Sequence, residues 1–302
     1  AVGEAQARNA PATVAVVDRV GNVLGVFRMT GADVSIAVSS GSGVTGGLEG
    51  IGVIPDTLAA IAKAVTGAYL STEGNAFSTR TASQIVQEFF NVGETGQLSG
   101  PLFGVQFSSL ACSDLTNRFV AARPSAGPQR SPLGLSADPG GFPLYRNGVV
   151  IGGVGVIADS SYSADRNVND RDQDTDELIA LAATRGFEPP VDRRADRITL
   201  DGKTLRYSDA VTGDLLSISA PAFAAIDGAA GSRQAVRGYT ATGDTSLVAG
   251  TVFGQAPSGI RPASNAALAA LDGFVLVDSS NAERFVPTAG SDAASLGGAA
   301  VL

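Results

Sequence analysis

The sequence predicts an α+β fold: an antiparallel sheet flanked by helices, with long loop insertions and a β-rich C-terminal appendage. Three observations carry this. Two hairpin signatures, at Thr13–Met29 and Phe142–Ile157, supply four strands. Apolar residues recur at helical spacing in Asp56–Leu70 and in the stretch that opens near Asp174. Beyond Pro189-Pro190 the pattern changes to short apolar runs punctuated by glycine.

Composition narrows the function classes. At 302 residues the chain is long enough for one large domain or two medium ones. With 44% apolar and 17% charged residues it is a globular chain. A net charge of −8 disfavours nucleic acid and anionic membrane, which need a basic footprint. Histidine is absent, which removes His-based metal sites, a Ser-His-Asp triad and proximal-His haem ligation together. Cys112 is the single cysteine, so no internal disulfide forms, and with only acidic Asp114 nearby it reads as an inert thiol. No window reaches the roughly 20 apolar residues of a membrane span. The scarcity of lysine (Lys63 and Lys203) and a start at Ala1 without Met lead us to expect an extracytoplasmic, periplasmic or secreted protein whose signal peptide has been removed.

In chain order, Ala1–Asn9 is helical and Pro11 ends it. Thr13–Asp18 and Val23–Met29 form the first hairpin. Gly31–Pro55 is expected as loop; its glycines lack the Gly-Lys-Ser/Thr of a phosphate cradle. Asp56–Leu70 is a helix with Asp56 as N-cap and Leu58, Ile61, Ala62, Val65 and Tyr69 on one face. Thr81–Asn91 is a second amphipathic helix with Ile85, Phe89 and Phe90 inward. The Pro/Gly/Ser-rich stretch up to Phe142 is long enough to be functional or an assembly surface. Phe142–Arg146, an Asn147-Gly148 turn and Val149–Ile157 make the central hairpin. Gly152, Gly153 and Gly155 bare the backbone of its second strand to a helix, a partner subunit or a flat ligand. A helix from Asp174 to Arg185 closes this unit, capped by Gly186. A boundary falls at Glu188–Arg194, dividing a domain at 1–190 from an appendage at 191–302. In the appendage a hairpin is expected around Asp201-Gly202, with further strands at Leu215–Ser219, Ala235–Thr240, Ser246–Phe253 and Gly273–Asp278. Asp278, Asn281, Glu283 and Arg284 form a polar group there.

The order of four segments carries a resemblance. AVVDRVGNVLGVFRMTGA is followed by IAKAVTGAYLST, then by GGFPLYRNGVVIGGVGV, and then by an acidic run into DELIALAA. In this order the chain resembles the GlcG/HbpS family of haem-binding domains, also found fused to the adenosyltransferase PduO, over about residues 1–183, with insertions near 33–56 and 71–136. The resemblance implies a mostly antiparallel sheet with helices, a symmetric homo-oligomer, and binding of haem, a tetrapyrrole or another small planar organic acid. It further implies a pocket lined by Phe27, Met29, Tyr69 and the Gly152, Gly153 and Gly155 strand. Lys63, or one of Arg80, Arg130 and Arg146, would meet a ligand carboxylate there; the alternative for Lys63 is an ordinary surface lysine on its helix. The family's ligation has been attributed partly to histidine. Here only Met29, Cys112 or a tyrosine such as Tyr69 or Tyr145 is present to ligate iron. In longer relatives such an appendage precedes a second family domain, which would begin after Leu302.

The acidic run supplies a second candidate cofactor, calcium. Asp165, Asn167, Asn169, Asp172, Asp174 and Asp176 alternate as oxygen ligands do in a calcium loop. Asp170 stands where an EF-hand has glycine, and Asp176 where it has glutamate, so this is not an EF-hand. The alternative is a solvated loop, partly neutralised by Arg166 and Arg171, whose last aspartates favour the dipole of the next helix. No catalytic group is singled out. Two functions stay open: a ligand-binding protein, and a structural or assembly protein that reuses the fold without a chromophore.

Overall fold

The computed structural model describes residues 1–41, 49–86, 90, 99–105, 129–167, 170–200, 202–236, 255, 260–262, 274–277 and 280–282. Cys112, Asn169, Phe89, Asp278, Glu283, Arg284 and the strand expected at 246–253 lie outside them.

The chain runs α1 (Val2–Arg8), β1 (Thr13–Asp18), β2 (Val23–Met29), β3 (Ser35–Val38), β4 (Ile54–Pro55), α2 (Asp56–Tyr69) and α3 (Thr79–Ile85). It continues with β5 (Gly141–Arg146), β6 (Val149–Ile157), β7 (Ser161–Tyr162) and α4 (Thr175–Ala183). Then come β8 (Thr199–Leu200), β9 (Lys203–Thr204), α5 (Phe223–Ile226), β10 (Gly231–Arg233), β11 (Ile260–Pro262) and β12 (Phe274–Leu276). The centre is an antiparallel five-stranded sheet in the order β10-β2-β1-β6-β5. Both expected hairpins form, and Asn147 (φ 53°) and Gly148 (φ 79°) take the positive φ that a type I′ turn needs.

Side chains alternate across the sheet and build two cores. Ala15, Val17, Val26 and Ile157 face α2, meeting Ala60, Ile61, Ala64, Val65 and Ala68. The helix lies close because the sheet offers it glycine: a Cβ at Gly153 would strike the Ala64 carbonyl, and one at Gly155 the Ala60 carbonyl. Phe27, Met29, Phe142, Val154 and Val156 belong to the second core, with Ile179 and Ala180 of α4. Ala195, Leu205 and Tyr207 join that core from beyond Glu188–Arg194, and β10 adds the strand beside β2.

Several local expectations are corrected. The stretch 31–55 is not all loop: β3 pairs antiparallel with β4 and parallel with β7. Strands of two to four residues carry too little periodicity to be read locally and exist through pairing with distant chain. Asp56 is the first residue of α2 rather than its cap, because its carboxylate is spent on Arg28 and Thr13. Helix α3 starts at Thr79, earlier than expected, because Ser78 and Thr81 form a capping box. Leu215–Ser219 is not a strand; the N–H groups of Leu216 and Ser217 donate to the Glu4 carboxylate at 2.9 and 2.8 Å. The hairpin at 199–204 and a strand within 273–278 form as expected.

Candidate functional site

Two buried cations organise the polar interior. Lys63 sits on the sheet-facing side of α2 and is wholly buried. Its Nζ lies 2.5 Å from Asp176 Oδ2 and 2.6 Å from Asp138 Oδ2. Asp176 comes from the first turn of α4 and also accepts the Ala158 N–H at 2.7 Å. Asp138 comes from the loop before β5 and accepts the Ser163 N–H and hydroxyl at 3.1 and 2.9 Å. The pair therefore ties α2 to α4 past the end of the β5–β6 hairpin. Close approach here again needs glycine: a Cβ at Gly140, at φ 109°, would meet Asp176, and one at Gly141 would meet the Lys63 carbonyl.

Burial would lower the Lys63 pKa, but Asp138 and Asp176 outweigh it and hold the ammonium above the ordinary lysine range. Burial pushes both carboxyls up, and Lys63 offsets only part of that rise. A lysine nucleophile or base needs the opposite shift. This Lys63 is a charged structural tie.

Arg80, on α3 and 1% exposed, is the second cation. Its Nε and Nη2 grip both oxygens of Glu177, each at 3.2 Å. Its Nη1 lies 2.9 Å from Asp165 and from Asp172, and 3.4 Å from Asp209. Glu177 also accepts the N–H groups of Asp209 and Ala210 at 3.1 and 3.2 Å. Burial pushes the Glu177 carboxyl up, with Arg80 opposing. Burial would lower the Arg80 guanidinium, and Glu177, Asp209 and Asp165 reverse that and raise it.

The acidic run is thus divided between uses. Asp176 serves Lys63, Asp165 and Asp172 serve Arg80, and Asp174 caps α4 by accepting the Glu177 N–H. The Asn167 amide donates to Asp170 at 2.8 Å. Carboxylate oxygens of Asp165, Asp170 and Asp172 still gather within 4.8 Å of one another. Arg80 already brings a positive charge to two of the three.

The residues expected around a flat ligand are not brought together. Phe27 and Met29 lie in the core opposite α2, whereas Gly153 and Gly155 face α2, and the sheet separates the two sets. A Cβ at Gly152 would strike the neighbouring Val17 carbonyl. Phe27 packs edge-on against Phe223, with centroids 6.0 Å apart. The Tyr69 hydroxyl donates to the Val20 carbonyl at 2.8 Å, with the Gln129 carbonyl also in contact. Tyr145 donates to the carbonyls of Thr72 and Asn75, and burial pushes its hydroxyl up to about 12, away from the phenolate that would bind iron. The described candidates therefore do not fit axial ligation of haem iron.

Asp138, Glu177 and Asp209 were not among the residues read from sequence. Glu177 follows directly on Asp176, one position beyond the place of an EF-hand glutamate, which is only a faint signal. Asp138 and Asp209 sit in loops, and nothing local marks them.

Among solved structures, the chain is similar to a PduOC–haem complex, with 19% identity and a TM-score of 0.35, over 62% of this chain and 85% of that one. It is also similar to protein ORFY of Klebsiella pneumoniae, of the family model DUF336, with 22% identity and a TM-score of 0.30, over 60% of this chain and 78% of that one. No protein-family model and no curated protein matches.

Proposed function

We propose that this chain is an extracytoplasmic ligand-binding protein of the GlcG/HbpS type, and that it takes haem, a tetrapyrrole or another planar organic acid at its surface. One observation carries the reading. The four segments that bear the sequence resemblance fold as one contiguous block: the β1–β2 hairpin, α2, the β5–β6 hairpin and α4, with strand order β2-β1-β6-β5. Among the described residues, the places read for a ligand inside that block are taken by the protein's own groups. Helix α2 occupies the glycine strand, and Lys63 is neutralised by the protein's own carboxylates. In this reading the ligand sits outside the two cores, without Met29, Tyr69 or Tyr145 on the metal. Among the described residues, no helix is long and apolar enough to cross a membrane.

The filling of those places equally favours a second reading, a homo-oligomeric assembly protein that reuses the fold without a chromophore. A haem titration followed at the Soret band, with the particle size measured in the same sample, separates the two. Saturation near one haem per chain supports binding. A band no different from that given by an unrelated acidic protein, together with a uniform large particle, overturns it in favour of assembly. Among the described residues, calcium has one remaining place, at Asp165, Asp170 and Asp172, where it competes with Arg80; equilibrium binding of calcium to the chelator-treated protein tests it. Fractionation of the producing cells tests the location.

A further inference from the structure

Two polar atoms near Lys63 share a property. Tyr162 Oη and Asp138 Oδ2 are buried, and neither has a hydrogen-bond partner. Asp138 Oδ2 has only its ion-pair contact with Lys63 Nζ, at 2.6 Å. The two atoms are chemically complementary, since a phenol hydroxyl donates and a carboxylate oxygen accepts. They share a neighbourhood as well: burial pushes the hydroxyl up, the Ser136 side chain, near enough to donate to the phenol oxygen, opposes that, and Asp138 raises it further while Lys63 lowers it. Tyr162 is held there by the parallel pairing of β7 with β3, opposite Val38, and its ring packs on the α2 core. Asp138 is held from the other side by Ser163 and by its own N–H on Ser136 Oγ at 3.2 Å. Native proteins rarely leave such a pair of buried groups unmet, and a polar recess with three or so partners is where an internal water resides.

We propose that one water molecule is bound between Tyr162 Oη and Asp138 Oδ2, as a fixed part of the Lys63 nest. It accepts a hydrogen bond from the Tyr162 hydroxyl and donates one to Asp138. A Lys63 ammonium proton is available as a further donor, because the ammonium has three and two carboxylates to meet. In this arrangement the carboxylate that faces Lys63 is hydrogen-bonded at both oxygens, and β7 is tied to the loop before β5.

A crystal structure of the protein, paired with thermal denaturation of Tyr162→Phe, tests this. The substitution keeps the ring and removes only the hydroxyl. The expected result is density for one water within hydrogen-bond distance of both atoms, lost or displaced in Tyr162→Phe, together with a fall in the midpoint of about 2–4 °C for the variant. Absence of that density overturns the proposal, as does a Tyr162 hydroxyl that donates directly to Ser136 or Asp138. An unchanged or raised midpoint in Tyr162→Phe overturns it too, because deleting a hydroxyl that has no partner relieves a burial cost.

Discussion

Replacing Lys63 by Met should be among the most damaging single changes in this protein, and its cost should depend on pH in a particular direction. The substitution keeps length and apolar stem but deletes the one cation between Asp138 and Asp176, whose side chains are only 4% and 2% exposed. Removing one partner of a buried ion pair costs about 3–5 kcal/mol, because the remaining charge is left uncompensated. Against a total stability of roughly 5–15 kcal/mol that is a large share. Asp138→Asn should cost less than half as much: it leaves Lys63 and Asp176 as a one-to-one pair, and the amide oxygen still accepts from Ser163. Without Lys63 both carboxyls rise further, so the native state binds protons that the unfolded chain does not. Stability of the variant then increases as pH falls, and its deficit is greatest at neutral pH and shrinks toward pH 5. In the parent, the Lys63 contribution is complete below the ordinary lysine pKa and is lost only in strong alkali, as pH passes its raised folded value. Urea denaturation at pH 7 and pH 5 measures all of this, with a midpoint loss of about 1–3 M at pH 7 for Lys63→Met. A loss below about 1 kcal/mol, an Asp138→Asn loss equal to that of Lys63→Met, or a deficit that grows on acidification would refute the reasoning.

Further outcomes follow from the same geometry. Gly155→Ala should cost about 3 kcal/mol or more, since its methyl meets the Ala60 carbonyl and the Ala64 N–H rather than open space; the urea midpoint reads this, and a neutral variant would mean that α2 does not sit on this strand. Arg80→Lys keeps the charge but loses the two-pronged grip on Glu177, so about 2–3 kcal/mol of stability should go despite its conservative appearance. A chain ended after residue 190 lacks Leu205, Tyr207 and the two N–H donors to Glu177, so its near-ultraviolet dichroism should be weak and its amide spectrum poorly dispersed; a sharp native spectrum would establish 1–190 as self-sufficient. Glu4 behaves oppositely to the Lys63 carboxyls: burial would raise it, but the N–H groups of Leu216 and Ser217 and the Arg8 guanidinium outweigh burial and lower it. Its contribution is therefore present above the ordinary glutamate pKa and fades as pH falls through the lowered value, so protease cutting near 215–219 should increase in acid first.

Local chemistry made much of the fold legible. The Asn147-Gly148 turn, the Thr13–Asp18 and Val23–Met29 strands and the long run of α2 are all specified by residues within one element, and they form where they were read. The glycines of β6 were rightly singled out for close approach, but the sequence did not say which of helix, partner or ligand comes close; that depends on where the Ala60 and Ala64 carbonyls fall in space. The candidate site was less legible for the same reason. A lysine on an amphipathic helix looks like a surface residue until residues about 75 and 113 positions away arrive with carboxylates. The acidic run offered a cation loop, because alternation is visible in sequence, or a solvated loop, whereas its division between Lys63, Arg80 and the α4 cap is fixed by three separate elements.

The edge of the sheet constrains how copies of this protein can associate. Strand β5 would be the natural place to add another strand, and its outward donors are all accounted for. Gly141 N–H donates to the Thr79 hydroxyl at 2.9 Å, Pro143 has no N–H, and Tyr145 N–H donates to the Phe187 carbonyl at 2.8 Å. Covering an edge in this way is a common defence against sheet-to-sheet growth. On the other side of the sheet β10 covers β2, with Thr30 N–H on the Ala230 carbonyl and Gln234 N–H on the Val26 carbonyl, and β10 is itself the outer strand. Under either functional reading, an oligomer of this chain is therefore expected to form without a backbone ladder through β5 from one copy to the next. Amide exchange of Tyr145 compared between dilute and assembled protein tests this: its protection should be the same in both. Protection of further β5 edge groups that appears only on assembly would show that the edge opens and pairs, and would refute the constraint.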